Sequence, residues 1–205
     1  MLIQELFDTT PKDVIVVYPG RFQPFHRGHY AVYEHLTQKY GTDNVFICTS
    51  NKVEEGRSPF NFEEKLLMME HVGINSNNVV QSSQPYKALE ITEHYDPDNT
   101  ILLFAVSEKD MSSTPRFSFN AKKDGSASYF QRLPENINQA NTFNKHAYII
   151  TVPTFEFNIM GNPVYSASQI RNEFSKASNN QRKNIVTDLY ETYSDSIFSL
   201  LSSKL

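Results

Sequence analysis

Two histidines three positions apart, His26 and His29, stand on either side of Gly28 in the stretch Gly20-Arg-Phe-Gln-Pro-Phe-His-Arg-Gly-His-Tyr30, directly after the apolar run Val14-Ile-Val-Val-Tyr18. Imidazole nitrogens donate hydrogen bonds to phosphate oxygens. A helix starting here would also aim unpaired backbone N–H groups and the positive end of its dipole at the same anion. Gly28 puts no Cβ between the backbone and an approaching base or phosphate, and Pro24 keeps the lead-in from turning helical too early. The stretch reads as a site for nucleotide phosphates.

A second constellation lies near the carboxyl end. Tyr165-Ser-Ala-Ser168 precedes Gln-Ile-Arg-Asn-Glu-Phe174, which places Ser166 and Ser168 at the first turn of a helix, with Arg171 one turn further on the side of Ser168. Hydroxyls and N–H groups there can bind phosphate together, although ordinary N-capping accounts for one serine without a ligand. A third group, Ser107-Glu-Lys-Asp110, follows the apolar run ending at Val106. There Asp110 would meet a ribose hydroxyl or an acceptor, and Lys109 a phosphate.

These groups need elements that bring them to one edge. Short β-rich runs alternate with helical patterns, which predicts an α/β fold: a Rossmann-like, doubly wound parallel sheet of about five strands with helices on both faces. The strands are placed at Val14 to Tyr18, Val45 to Ser50, Val79 to Ser82, Ile101 to Val106 and Ala147 to Val152, and the helices at about Gly28 to Tyr40, Phe62 to Val72 and Lys87 to His94. Asn61 followed by Glu64 marks a capping box at the second helix. In such sheets ligands bind outside the carboxyl ends of the strands, where all three constellations fall. The last segment, with Ile185, Leu189, Ile197, Leu200 and Leu201, reads as an amphipathic helix packed on the sheet or on a neighbouring subunit, which leaves a homo-oligomer open.

The stretch resembles the HxGH signature of the nucleotidyltransferase superfamily, and GRFQPFHRGH is most similar to the archaeal-type nicotinamide mononucleotide adenylyltransferases. Arg57-Ser-Pro-Phe60 resembles that family's arginine-bearing loop after the second strand, and Ser166-Ala-Ser-Gln-Ile-Arg171 its carboxyl-terminal phosphate-binding motif; the three segments outline the chain from about Val14 to Phe174. The resemblance implies transfer of AMP from ATP to a phosphorylated acceptor such as nicotinamide mononucleotide, with release of pyrophosphate. By the same resemblance, His26, His29, Arg57 and Arg171 act on the triphosphate, His29 stabilising charge at the α-phosphate, while Gly20, Arg21, Phe22, Gln23, Gly28, Ser166 and Ser168 bind the nucleotide. A magnesium ion is implied, held by phosphate oxygens and water rather than by a protein cage. On the acceptor side the chain departs from the pattern. It has no tryptophan to stack on nicotinamide, leaving that task to Tyr86; Glu108-Lys-Asp110 replaces neutral residues, and Ala167 stands where glycine is usual.

Composition narrows the partners. The 205 residues form one domain with a loop insertion at 111–144, where Ser, Asn, Lys and aromatics mix with Pro115, Gly125 and Pro134. Arg116, Lys122, Lys123 and Arg132 of this insertion would form a cationic lid if it closes on the ligand. A net charge of -4 and a pI near 5.9 do not suit a surface that neutralises many backbone phosphates, so nucleic acid is not the expected partner. The acidic, short chain also lacks the lysine loop of a class I aminoacyl-tRNA synthetase. Cys48, the sole cysteine, sits in an apolar strand as an inert thiol. No apolar run approaches spanning length and the amino-terminal stretch has no signal pattern, so the expectation is a cytoplasmic protein with no membrane partner. Two alternatives stay open: a cytidylyltransferase or another adenylyltransferase acting on a small phosphorylated alcohol, and a nucleotide-binding module without turnover.

Overall fold

The computed structural model describes residues 12–111 and 117–205; the amino-terminal stretch read for a signal pattern and Arg116 lie outside them. Six parallel strands form the main sheet in the order β3-β2-β1-β4-β6-β5, with β1 Asp13–Pro19, β2 Val45–Thr49, β3 Val79–Gln81, β4 Thr100–Ser107, β5 Phe130–Arg132 and β6 Ala147–Val152. A parallel sheet is covered on both faces, and the side-chain period of two divides each strand between two cores. Along β1, Val16 and Tyr18 join the larger core while Ile15 and Val17 join the smaller. Along β4, Ile101, Leu103 and Ala105 face the first and Leu102, Phe104 and Val106 the second.

The larger core is closed by α1 (Arg27–Tyr40), α2 (Phe62–His71), α4 (Ala167–Lys176), α5 (Asn179–Tyr190) and α6 (Asp195–Lys204). The capping box expected at α2 is present: Asn61 Oδ1 accepts from Glu64 N–H at 2.9 Å and Glu64 accepts from Asn61 N–H at 2.8 Å. The smaller core lies under α3 (Leu89–Thr92) and the aromatic side of the insertion. Chain order β1, β2, β3 runs outward from the centre and then returns to β4, beside β1. The switch point between β1 and β4 therefore lies where Gly20 and Ser107 leave the sheet.

Three expectations change. The sheet has six strands rather than about five, because 111–144 is not structureless: Phe130–Arg132 pairs parallel to β6 as an edge strand, anchored by Phe117, Phe119, Phe130 and Phe143 against the smaller core. Aromatics without periodicity hid it. The third helix is one turn, Leu89–Thr92, rather than Lys87 to His94, since Ala88 at its N-cap adopts a left-handed conformation that stops the helix reaching back. The final amphipathic segment is two helices, broken at Glu191 (φ 65). A small antiparallel hairpin, β7 (Asn158–Ile159) with β8 (Asn162–Pro163), precedes α4.

The carboxyl-terminal helices brace the histidine stretch directly. The buried Tyr190 hydroxyl donates to the Phe25 carbonyl at 2.8 Å, and Arg27 pairs with Glu191 at 3.0 Å. The ion pair is exposed and contributes little, whereas the phenol satisfies a buried carbonyl. Tyr190→Phe leaves that oxygen unpaired, so denaturant unfolding should show a loss of about 1–2 kcal/mol; an unchanged midpoint would mean that water replaces the phenol.

Candidate functional site

The turn from β1 into α1 carries the first group of side chains. Gly20 N–H donates to the Cys48 carbonyl at 3.0 Å, so β2 holds the exit from β1. An added Cβ on Gly20 would lie 2.5 Å from the Phe22 ring; glycine is required there so that Phe22, itself at φ 50, can fold inward. Phe22 then meets Tyr18 edge-on at 5.3 Å and His29 edge-on at 5.0 Å. His26 takes the N-cap position of α1 in an extended conformation, yet its side chain makes no capping hydrogen bond, so capping is not what fixes the imidazole.

The two imidazoles instead stack on each other, with centroids 3.7 Å apart and planes 23° from parallel. Phe25 packs against His29 and Phe157 against His26. Both Nδ1 atoms are enclosed without a hydrogen-bond partner. A cation in these surroundings lacks solvation, and a second one 3.7 Å away would repel it. Burial accordingly pulls His29 down to about 3, and burial together with His29 pulls His26 well below the ordinary range. Both rings are neutral at physiological pH.

Gln23 ties this turn to two distant segments. Its side chain, 4% exposed, donates to the Phe60 carbonyl at 2.8 Å and accepts from the Phe60 N–H at 2.9 Å. Its carbonyl accepts from Arg171 at 2.7 Å. Arg171 also donates to Ser168 Oγ at 3.3 Å, and burial with the nearby Arg21 charge pulls its guanidinium below the usual value. Ser166 is the N-cap of α4, accepting from Gln169 N–H. Arg57 lies in a turn closed by the Glu54–Ser58 bridge, largely exposed and loosely paired with Glu54 at 3.8 Å. Gly56 and Pro59 beside it line a cavity of about 400 Å³ together with Ser168 and Arg171.

On the far side of the turn, Ser107 donates to Asp110 at 2.8 Å, and Tyr18 gathers Tyr86 and Asp110 around it; burial first, then these two neighbours, raise the Tyr18 phenol. Tyr86 packs against Phe117 at 5.6 Å. The side chain of Lys109 lies outside the described residues.

A family model for cytidylyltransferase-like proteins matches residues 17–173, which takes in the histidine pair, the Arg57 turn and Arg171. The chain belongs to the cytidylyltransferase-like family. It is 40% identical over 63 residues to a nicotinamide-nucleotide adenylyltransferase of Sulfurisphaera tokodaii, a match covering 31% of this chain and 36% of the relative. It is 29% identical over 96 residues to nicotinamide-nucleotide adenylyltransferase 1 of Sulfolobus acidocaldarius, covering 42% and 55%. The chain thus spans about a third to about half the length of these curated relatives. In fold it is similar to a bifunctional NMN adenylyltransferase/ADP ribose pyrophosphatase from Francisella tularensis, with TM-score 0.55, 19% identity and coverage of 94% of this chain and 49% of that one.

The geometry redraws several expectations within the family site. His26, His29, Ser168, Arg171, Arg21 and the Arg57 turn lie around one edge, as do Tyr86 and Asp110. Gln23 and Phe22 do not offer their side chains to a nucleotide: the Gln23 amide is taken up by Phe60 and the Phe22 ring is buried beneath His29. The space above Gly28 is filled by this chain itself, since an added Cβ would meet the His26 ring and the Phe155 carbonyl at 3.2 Å. Arg132 of the expected lid lies over Phe119 in its own insertion, while Lys122 and Lys123 are exposed on a turn. Cys48 is buried and burial pushes its thiol up to about 12, which fits the inert reading. Among the described residues no helix is long and apolar enough to cross a membrane. The Phe155–Phe157 stretch against the histidines was missed because loop aromatics carry no period.

Neutral, enclosed imidazoles contribute to the pH dependence of folding. The unfolded chain takes up protons near 6.5, the folded one only near 3 at His29, so this contribution is fully present above about 6.5 and is lost as pH falls toward 3. Comparing denaturation of the wild type with His29→Asn between pH 6.5 and 4 should show the wild type losing up to about 1.4 kcal/mol more per pH unit. Equal slopes would mean a charged folded imidazole.

Proposed function

We propose that this chain is a nucleotidyltransferase that moves AMP from ATP to nicotinamide mononucleotide and releases pyrophosphate. The observation that carries the reading is the convergence of a stacked, unpartnered histidine pair with Arg171, Ser168 and the Arg57 turn at one strand edge. A phosphate oxygen of the acceptor is already ionised at neutral pH and attacks the α-phosphorus of ATP. The new P–O bond forms as the bond to the bridging α,β-oxygen breaks, and the electron pair leaves with pyrophosphate. No base is needed, so the site works by alignment and by donors aimed at developing charge.

The Nδ1 atoms of the neutral His26 and His29 rings have no hydrogen-bond partner, and in this reading the rings donate to phosphate oxygens. An anion there also makes their protonation more favourable, so they strengthen as charge accumulates. Arg171, Arg21 and Arg57 face the β- and γ-phosphates and the leaving pyrophosphate. Among the described residues no three His, Cys, Asp or Glu side chains gather into a metal site. A magnesium ion would come with the nucleotide, held mainly through its phosphates, and would supply positive charge there. Gly28, with the Phe155 carbonyl 3.2 Å from where a Cβ would stand, would border the base or a phosphate of the nucleotide. The phenols of Tyr18 and Tyr86 with Asp110 form the acceptor side, where a carboxylate suits the positive pyridinium of nicotinamide mononucleotide and an aromatic ring suits its face. The absence of tryptophan favours the second reading, transfer of CMP or AMP to a small phosphorylated alcohol.

Pyrophosphate release from magnesium ATP and magnesium CTP, measured over a panel of phosphorylated acceptors, decides between them. Release is expected with ATP only when nicotinamide mononucleotide is present; preference for CTP with a phosphoalcohol selects the second reading, and triphosphate binding without release under any condition leaves a binding module. His29→Ala should lower kcat about 100- to 1,000-fold with a much smaller change in triphosphate affinity, as for other lost transition-state donors.

A further inference from the structure

Lys65 is a buried cation that the reaction scheme does not use. It lies on α2, fully buried, on the same face as Met68 and Met69, three and four residues on. Its ammonium donates to Thr49 Oγ1 at 2.7 Å and to the Ser50 carbonyl, and none of the ion pairs among the described residues includes it. Burial pulls it down to about 8, so folding with a protonated Lys65 carries a penalty at neutral pH. A methionine would fill the same space without that penalty, so packing alone does not explain a lysine here.

What the ammonium holds explains it. Thr49 ends β2, and from Ser50 the chain departs into the turn that carries Arg57 before returning at Phe60 and Asn61. The return is fixed by Gln23 on the Phe60 backbone, and Asn51 Oδ1 accepts from Phe62 N–H at 2.8 Å across the mouth of the loop. The departure is fixed by Lys65. Arg57 itself is exposed and only loosely paired with Glu54, so its place relative to Arg171 depends on how the two stems of the loop are held.

We propose that Lys65 is a positioning residue, the clamp on the outgoing stem of the 50–60 loop that sets Arg57 over the triphosphate. The inference rests on the proposed nucleotidyl transfer for its kinetic consequence, but its structural consequence can be read without turnover. In the full-length Lys65→Met protein, amide hydrogen exchange should rise selectively across residues 50–60 while β1 and α1 keep their protection. The KM for ATP should rise about tenfold with kcat within about twofold, and the same substitution in an Arg57→Ala background should give no further rise, because contacting or serially acting residues do not add.

Unchanged exchange in residues 50–60 would overturn the proposal. So would a uniform rise reaching β1 and α1, which would make Lys65 a packing residue only, or an equal KM increase with and without Arg57. Should the wild type release no pyrophosphate with any acceptor, the transfer reading fails alone and loop exchange still decides the role of Lys65.

Discussion

A buried primary amide has both donors and an acceptor to satisfy, and Gln23 meets that demand by bonding the N–H and C=O of a single residue, Phe60. Leaving either group unpaired in the interior costs about 1–3 kcal/mol, so the two segments, 37 residues apart, are locked in one relative position. The Gln23 carbonyl then receives Arg171 from 148 residues away. Three stretches that share no secondary structure thus meet at one residue, and cationic side chains from each are presented to a single edge of the sheet. Through this junction the turn that carries Arg57 reaches Arg171: Gly56 and Pro59 line one cavity with Ser168 and Arg171.

The histidine pair depends on that junction from the other side. Fixing Gln23 and Pro24 delivers Phe25, His26 and His29 to the start of α1, where Phe22, Phe25 and Phe157 wall in the rings. Apolar walls keep the imidazoles neutral, and for His26 the stacked His29 raises the cost of protonation further. A site that is cationic at its rim and neutral at its centre attracts a polyanion at long range while keeping its strongest rearrangement of charge for the moment when the anion is in contact.

Much of this was legible in the sequence because it was local. Five of the strand runs, the capping box at Asn61 and Glu64, and the HRGH turn all express periodicity or cap chemistry within a few residues, and the six-stranded sheet contains each of those strands within a residue of its expected ends. What escaped depends on distant partners. Gln23 looks like a polar lead-in until Phe60 is beside it, and Phe22 like a candidate platform until Gly20 lets it turn inward. Lys65 looks like one more charge in Phe62-Glu-Glu-Lys65, although its spacing to Met68 and Met69 was a readable sign that it faces the core. The edge strand at Phe130–Arg132 is no shorter than β3, but it lies in an insertion whose aromatics carry no alternation.

The two sides of the histidine turn carry opposite charge, and that asymmetry orients any substrate pair. Arg21, Arg57 and Arg171 gather on the side of α4, whereas Asp110, with the phenols of Tyr18 and Tyr86, occupies the end of β4. A triphosphate placed on the acidic side would meet a carboxylate at close range, a repulsion of several kcal/mol in a partly desolvated site. On the proposed transfer, a triphosphate on the arginine side would have its α-phosphorus at the histidines and its leaving group among the cations. The acceptor would then come from the Tyr86 side with its phosphate leading, opposite the bond that breaks. On that reading electrostatics and topology agree, because the switch between β1 and β4 is both the crevice in the sheet and the boundary between the two charges.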